Sequence, residues 1–210
     1  IAKQIEQTLK TELSPIASSK GKSRITLKAF ETELWFASVA NSFVDYSGDY
    51  DFVKSKLWNV LKQITDTITE QNAYQLAIND QSLLEVAIAE KKHVSAHLNA
   101  LWYNHLRIME ALAQEFHEQA DQIARYSQLA RKLKRSFNAR LWDEKNHGVT
   151  DFDGDQTLTH TRPEHIFVIS LEHSILTQAK EKELLARIWK ELYTPYGLKS
   201  TGVFQTRALD

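Results

Sequence analysis

No cysteine occurs in these 210 residues. That excludes a disulfide framework and any thiolate metal site, and it suits a reducing compartment such as the cytoplasm. Glycine and proline are scarce, six and three, which argues for helices and against a turn-rich β fold. An excess of one charge is lacking too. With 26 basic and 27 acidic residues the net charge is −1, so no global field draws the chain to nucleic acid or anionic lipid. No apolar run approaches the ~18 residues of a membrane span, and the first residues carry no signal-peptide pattern. P-loop, Gly-x-Gly-x-x-Gly, Gly-x-Ser-x-Gly and Cys-x-x-Cys motifs are also missing. The chain starts at Ile1 and runs out at Arg207-Ala208-Leu209-Asp210 soon after a turn, which reads as a piece of a longer parent chain.

What is present is a recurrence. Leu34-Trp35-Phe36 opens one apolar stretch, Leu101-Trp102-Tyr103 a second 67 positions on, and Ile166-Phe167-Val168 a third 65 positions later. A more charged helical stretch follows each, the pattern of stacked helical hairpins with buried inner and half-exposed outer helices. Ile1, Ile5, Leu9 and Leu13 make a preceding helical stripe that Pro15 ends, and Ser18 to Arg24 reads as a basic loop. The first hairpin is 31–46 and 50–69, separated by the stop-and-cap signal Ser47-Gly48-Asp49. The second is 99–117 and 119–142. The third is 163–176, with Pro163 at a helix-opening position, and 177–193, broken by Pro195-Tyr196-Gly197. Residues 70–98 are ambiguous; 74–87 fit a short strand or a broken helix. The expected fold is all-α: one partial toroid domain over residues 1–210, with inner helices around an axis and loops meeting at one end.

The longest polar connection, 143–162, carries Asp151, Asp153 and Asp155 with Arg162 at its exit. Carboxylates so placed suit sugar hydroxyls or a general acid; a solvated acidic turn is the alternative. A calcium loop fits poorly, because Gln156 and Arg162 stand where glycine and glutamate belong. His93 and His97 are four apart, the spacing of two ligands on one helix face, but no glutamate follows His93, and no metal site is assigned. Trp35, Trp102 and Tyr103 head inner helices, where aromatic rings either stack on sugars or pack the core. The run Arg131-Lys132-Leu133-Lys134-Arg135 reads as a solvated face of an outer helix.

Five ordered motifs resemble the glycogen debranching enzyme family, in its amylo-α-1,6-glucosidase domain. They are Leu34-Trp35-Phe36 with Ser47-Gly48-Asp49; Leu98 to Asn104 (Leu-Asn-Ala-Leu-Trp-Tyr-Asn) continuing through Leu106-Arg107-Ile108-Met109; Ser136-Phe137-Asn138 to Leu141-Trp142; Arg162-Pro163 with Ile166 to Leu171; and Leu192 to Leu198 (Leu-Tyr-Thr-Pro-Tyr-Gly-Leu). The resemblance spans 30 to about 202. It implies an (α/α)6 toroid, about half of it in this chain, and an α-glucan or oligosaccharide substrate. It further implies hydrolysis of α-1,6 branch linkages by an acid and a base carboxylate, without a cofactor.

The departures fall on the pocket. The family's Trp-Met-Asp-Ala stretch, whose aspartate is a catalytic candidate, is absent before Asn99. Glu31 stands where the family has an aspartate, His97 where it has a glutamate, and Glu164-His165 where it has Asn-Gln. Its second catalytic carboxylate lies past Asp210. The candidate catalytic residues are therefore Asp151, Asp153, Asp155 and Glu31. The candidate substrate-binding residues are Trp35, His97, Asn99, Trp102, Tyr103, Arg162 and His165. Two functions remain: part of a debranching-type glycoside hydrolase, inactive as a fragment, or a diverged toroid that binds glucan or a protein partner without turnover.

Overall fold

The structure, a computed structural model, describes residues 27–70, 76–88 and 91–200. The expected helix over 1–13 and loop over 18–24 lie outside them. The hub of the described residues is α3, Ala96–Glu115. Leu98, Ala100, Leu101, Trp102, Tyr103, Asn104 and Leu106 are all buried. These positions cover every side of the helix, so α3 must be packed all round rather than lie on a surface. Helix α1, Leu27–Ser47, lies along one flank and α4, Ala120–Arg140, along another. Between α1 and α3 in sequence comes α2. It runs through Tyr50–Phe52, a π-helical turn Val53–Leu57 and Trp58–Thr69, burying Leu57, Trp58, Leu61, Ile64 and Ile68.

The α1–α2 corner follows the sequence signal. Gly48 takes a φ of +66°, a left-handed conformation that glycine adopts without steric cost. Asp49 Oδ1 then accepts the Phe52 N–H at 2.9 Å, capping the next helix. The second hairpin is α3 and α4 within a few residues of the expected bounds. In the basic run, Leu133 is buried while Lys134 donates to the Ser174 carbonyl at 3.1 Å, so that face is partly packed.

The expectation of an all-α fold needs correction. Residues 76–94 form three strands, β1 Leu76–Ile78, β2 Leu84–Ile88 and β3 Lys91–Val94. The connection after α4 holds a small β4–β5 pair, Trp142–Asp143 with Gly148–Val149. It then forms a hairpin, β6 Asp151–Asp153 and β7 Gln156–Leu158. The hairpin joins the first three strands through His93↔Asp153 and Val94↔Phe152, giving a five-stranded antiparallel sheet in the order β1-β2-β3-β6-β7. Pairing across nearly sixty residues leaves no periodic mark in a strand only three or four residues long. The two-residue β6–β7 turn uses Gly154 at φ +60°, as primed hairpin turns require.

The third inner helix is also shorter than expected. A 3-10 turn, Pro163–Ile166, leads into α5, Phe167–Ser170, and the chain is then irregular to Thr177. Side chains of the second hairpin take the backbone groups that a longer helix would use. Asn104 Oδ1 accepts the His173 N–H at 2.9 Å, and Asn138 Nδ2 donates to the Ile175 carbonyl at 3.0 Å. Helix α6, Gln178–Leu192, closes this hairpin, capped by Thr177, and a β8–β9 turn, Tyr193–Thr194 with Gly197–Leu198, follows. Among the described residues no helix is long and apolar enough to cross a membrane.

Phe137 on α4 has no exposed surface. Phe137→Ala should destabilise the protein by about 3–5 kcal/mol, read as a lower urea midpoint at unchanged slope.

Candidate active site

The N-terminal end of α3, the inner edge of the sheet and the start of α1 enclose a cavity of about 230 Å³. Glu31, His93, Ser95, His97, Arg162 and Glu164 supply its polar lining. Antiparallel pairing decides which side chains enter. Val86 and His93 are partners across β2–β3, and Asp151 and Leu158 are partners across β6–β7. All four face the cavity. Ser95 holds the N-cap position of α3 and His97 lies in its first turn, so both side chains sit at the helix mouth.

Asp151 is the best-held group in this region. It is 3% exposed. Its Oδ1 accepts the Ala96 N–H at 2.6 Å. Its Oδ2 accepts from Arg162 Nη2 and, at 3.2 Å, from His165 Nε2. His165 is itself buried, and its Nδ1 faces the Arg162 N–H at 3.4 Å, so its Nε2 carries the proton. Burial pushes the Asp151 carboxyl upward. The His165 hydrogen bond, the Arg162 charge and the Ala96 amide outweigh it, holding the group below the usual carboxylate range. A carboxylate so fully engaged is an anchor, and it is poorly suited to donate a proton.

The other acidic candidates separate. Asp153 lies in the cavity-side strand but pairs with His93 Nδ1 at 3.4 Å and Lys91 Nζ at 3.9 Å. Asp155 is exposed in the β6–β7 turn. It opens onto a different, wider groove of about 740 Å³ with Arg140, Lys92 and Glu85. The solvated-turn reading therefore fits Asp155, whereas Asp151 is interior. Glu31 reaches the cavity from α1 and accepts from His97 Nε2 at 2.8 Å. Glu164 pairs with Arg162 Nε at 3.1 Å.

Three residues expected to touch substrate are turned inward instead. Asn99 is fully buried and ties β2 to α3. Its Oδ1 accepts the Leu84 N–H at 2.7 Å, and its Nδ2 donates to the Leu84 carbonyl at 3.0 Å and the Ser95 carbonyl at 2.8 Å. Trp102 is 1% exposed and stacked on His105, ring centroids 5.2 Å apart. Tyr103 is buried, with the Lys134 ammonium 5.3 Å from its ring centroid. In each case the packing requirement of an all-round buried helix takes the side chain. Trp35 stays partly exposed, edge-on to Phe167 at 5.2 Å. The pairing of His93 and His97 on one helix face also fails, since His93 is on β3. Among the described residues no three histidine or acidic side chains converge to hold a metal.

Sequence reasoning passed over Ser95, Glu164 and His93 as members of this cavity. A signal existed for Ser95, a serine just before a helical run, but its neighbours come from three distant segments. It also passed over two buried ionisable groups. Glu33 is 8% exposed and has no ion pair or hydrogen-bond partner among the described residues. Burial pushes its carboxyl up to about 7. His105 is fully buried with Nε2 at 2.8 Å from Thr65 Oγ1, and burial lowers it to about 3.

With this geometry established, the comparisons decide the family. Residues 86–203, more than half of the chain, match the model of the amylo-alpha-1,6-glucosidase family. The chain belongs to that family. No curated protein sequence matches it significantly. Among solved structures, a GH78 family rhamnosidase of Bacillus sp. GL1 superposes with a TM-score of 0.62 at 16% identity. The superposition covers 79% of this chain and 17% of that one, so the chain spans about one sixth of the rhamnosidase. At that identity the likeness establishes a shared arrangement of helices. The amylo-alpha-1,6-glucosidase match takes in the cavity-lining segments from Val86 through Glu164, and Glu31 lies upstream of it.

Two measurements follow from the buried charges. Asp151→Asn removes the buried carboxylate that Arg162, His165 and the Ala96 amide share, leaves Arg162 paired with Glu164, and should cost about 1.5–3 kcal/mol. The folded Asp151 is more acidic than the unfolded one, so its contribution is full above the unfolded value of 3.8 and lost as pH falls. The variant should therefore show a shallower loss of stability in acid. Glu33 works in the other direction. Its contribution is full below about 4.5 and lost as pH rises towards 7, while that of His105 is full above 6.5 and lost towards 3. Relative to the wild type, Glu33→Gln should gain stability between those first two pH values by up to ~1.4 kcal/mol per pH unit. Urea unfolding at a series of pH values reads both.

Proposed function

We propose that this chain is part of a glycoside hydrolase of the debranching type, acting on α-glucan at the cavity beside the α3 N-terminus. The observation that carries the reading is the convergence of Glu31, His97, Arg162 and Glu164 on one partly enclosed space in a chain of the amylo-alpha-1,6-glucosidase family. Carboxylates and a fixed guanidinium around a space of this kind suit the hydroxyls of a sugar ring. Trp35 at the α1 face offers an apolar ring surface.

In this reading Glu31 is the acid/base carboxylate. Of the four acidic candidates it is the one that combines partial exposure with a position on the cavity; its side chain is 36% exposed. Glycoside hydrolysis needs a proton delivered to the leaving oxygen and a second carboxylate to activate water or attack the sugar. The second carboxylate comes from a segment outside the described residues, as the sequence resemblance implies. Asp151, Arg162 and His165 hold the sheet hairpin against α3 and so shape the wall. The ring closes with the rest of the parent chain as an (α/α)6 toroid, and the lack of cysteine suits a cytoplasmic setting.

A non-catalytic glucan-binding role is the second reading. The engagement of both Asp151 oxygens favours it, since this removes one candidate acid from the chemistry. The full-length protein tests the two. Release of glucose from a limit dextrin is expected, and Glu31→Gln should lower kcat by ~100-fold or more while oligosaccharide affinity stays within a few fold. Asp155→Asn should leave turnover unchanged. Unaltered turnover in Glu31→Gln removes Glu31 from the chemistry. Binding without glucose release establishes the second reading.

A further inference from the structure

One chain of hydrogen bonds in the cavity suits a second chemistry besides glycoside hydrolysis. Ser95 Oγ lies 2.7 Å from His97 Nδ1, and His97 Nε2 lies 2.8 Å from Glu31 Oε1. With the ring proton on Nε2, that nitrogen donates to the carboxylate and Nδ1 accepts the serine hydroxyl proton. A hydroxyl, a base and an orienting carboxylate then stand in series. Such relays are recognised by geometry and role rather than by sequence position; here the two ring nitrogens are exchanged relative to the Ser-His-Asp template, with Nδ1 facing the serine.

The position of Ser95 strengthens the case. A serine at a helix N-cap ordinarily turns its oxygen back to accept an N–H of the first turn. Ser95 has the extended N-cap backbone, φ −108° and ψ 134°, yet makes no such bond. The hydroxyl lies against His97 Nδ1 instead, while Asp151 Oδ1 takes the N–H of Ala96, the first helical residue. The next amides, those of His97 and Leu98, belong to the first helical turn, which lacks intrahelical acceptors. Their N–H groups and the positive end of a 20-residue helix favour negative charge developing beside Ser95. The His97 side chain is 10% exposed, so the relay is shielded while Ser95 still lines the cavity.

We propose that Ser95, His97 and Glu31 form a nucleophile–base–carboxylate relay that hydrolyses short-chain carboxylic esters. The Ser95 Oγ–H proton passes to His97 Nδ1 as Oγ bonds to the ester carbonyl carbon. The tetrahedral oxyanion collapses, the ester C–O bond breaks, and the His97 proton leaves with the alcohol. Water then adds to the acyl-serine with His97 as base, the acyl–Oγ bond breaks, and the proton returns to Oγ. Ester and water become acid and alcohol, with no oxidant or metal required. This activity goes beyond the glucan reading and does not depend on it.

The test uses a fluorophosphonate, in which attack by a serine oxygen expels fluoride and leaves a stable phosphonyl adduct. The full-length protein should carry one adduct, located at Ser95 by peptide mass spectrometry, and should turn over 4-nitrophenyl acetate. His97→Asn, shown to be folded by circular dichroism and an unchanged urea midpoint, should label at least ~100-fold more slowly, with partial recovery in added imidazole. Glu31→Gln should slow labelling by roughly ten-fold. A folded wild type without an adduct at Ser95 overturns the proposal, as does equal labelling of Ser95 in His97→Asn. Full-rate labelling in Glu31→Gln overturns the role of the carboxylate. Glucose release from a limit dextrin by the same samples reads the glucan proposal separately, so either can fail alone.

Discussion

A carboxylate taken out of water has to be matched by donors or give up its charge, and at Asp151 the match comes from three separate parts of the chain. The first amide of α3, the guanidinium of Arg162 and the ring of His165 all converge on its two oxygens. None of these elements would fix the others' position by local preference. The β6–β7 hairpin is short, and a hairpin of this length is at best marginal on its own. Through Asp151 it is fastened to the most deeply packed helix, and through β3 to the sheet. The wall of the cavity depends on that fastening, because β6 and the Arg162–Glu164 turn both form part of it.

The same network explains a division of labour at the mouth of α3. Every side chain of the Asn-Ala-Leu-Trp-Tyr run is buried, with Asn99 holding both backbone groups of Leu84. One turn earlier, the positions that face the cavity carry serine and histidine in place of the acid-bearing pattern the family resemblance implies. Asp151 takes the Ala96 amide, and the Ser95 hydroxyl lies against His97 rather than against the helix amides. His97 in turn bridges to Glu31 on α1, linking two helices across the cavity.

Much of the helical framework was legible in the chain. The Ser-Gly-Asp corner and the approximate bounds of α3, α4 and α6 follow from local signals such as glycine at a left-handed position, a side-chain oxygen at a helix start and apolar periodicity. The sheet was not. β1 and β6 have three residues and β3 has four, too few for alternation to declare itself. The shortened third inner helix was equally hidden, because Asn104 and Asn138, which take its backbone groups, are 69 and 37 positions away from their partners. Of the candidate site residues, the sequence singled out Glu31, His97, Asp151 and Arg162, which the fold brings around one cavity. It also singled out Trp102 and Asn99, whose polar or aromatic character serves the interior. Residue type alone cannot separate an aromatic that stacks on a sugar from one that fills a core.

From the amino acids alone came the helical class, the hairpin recurrence and the family, since these rest on periodicity, capping chemistry and contiguous motifs that each residue carries with it. Tertiary structure alone decided that the polar connection after α4 is a buried part of a sheet, that Asp151 is an anchor while Asp155 meets solvent, and that Ser95 and Glu31 meet at His97. Those outcomes depend on which distant groups arrive at a side chain, and burial and hydrogen bonding are properties of that arrival, not of any stretch of sequence.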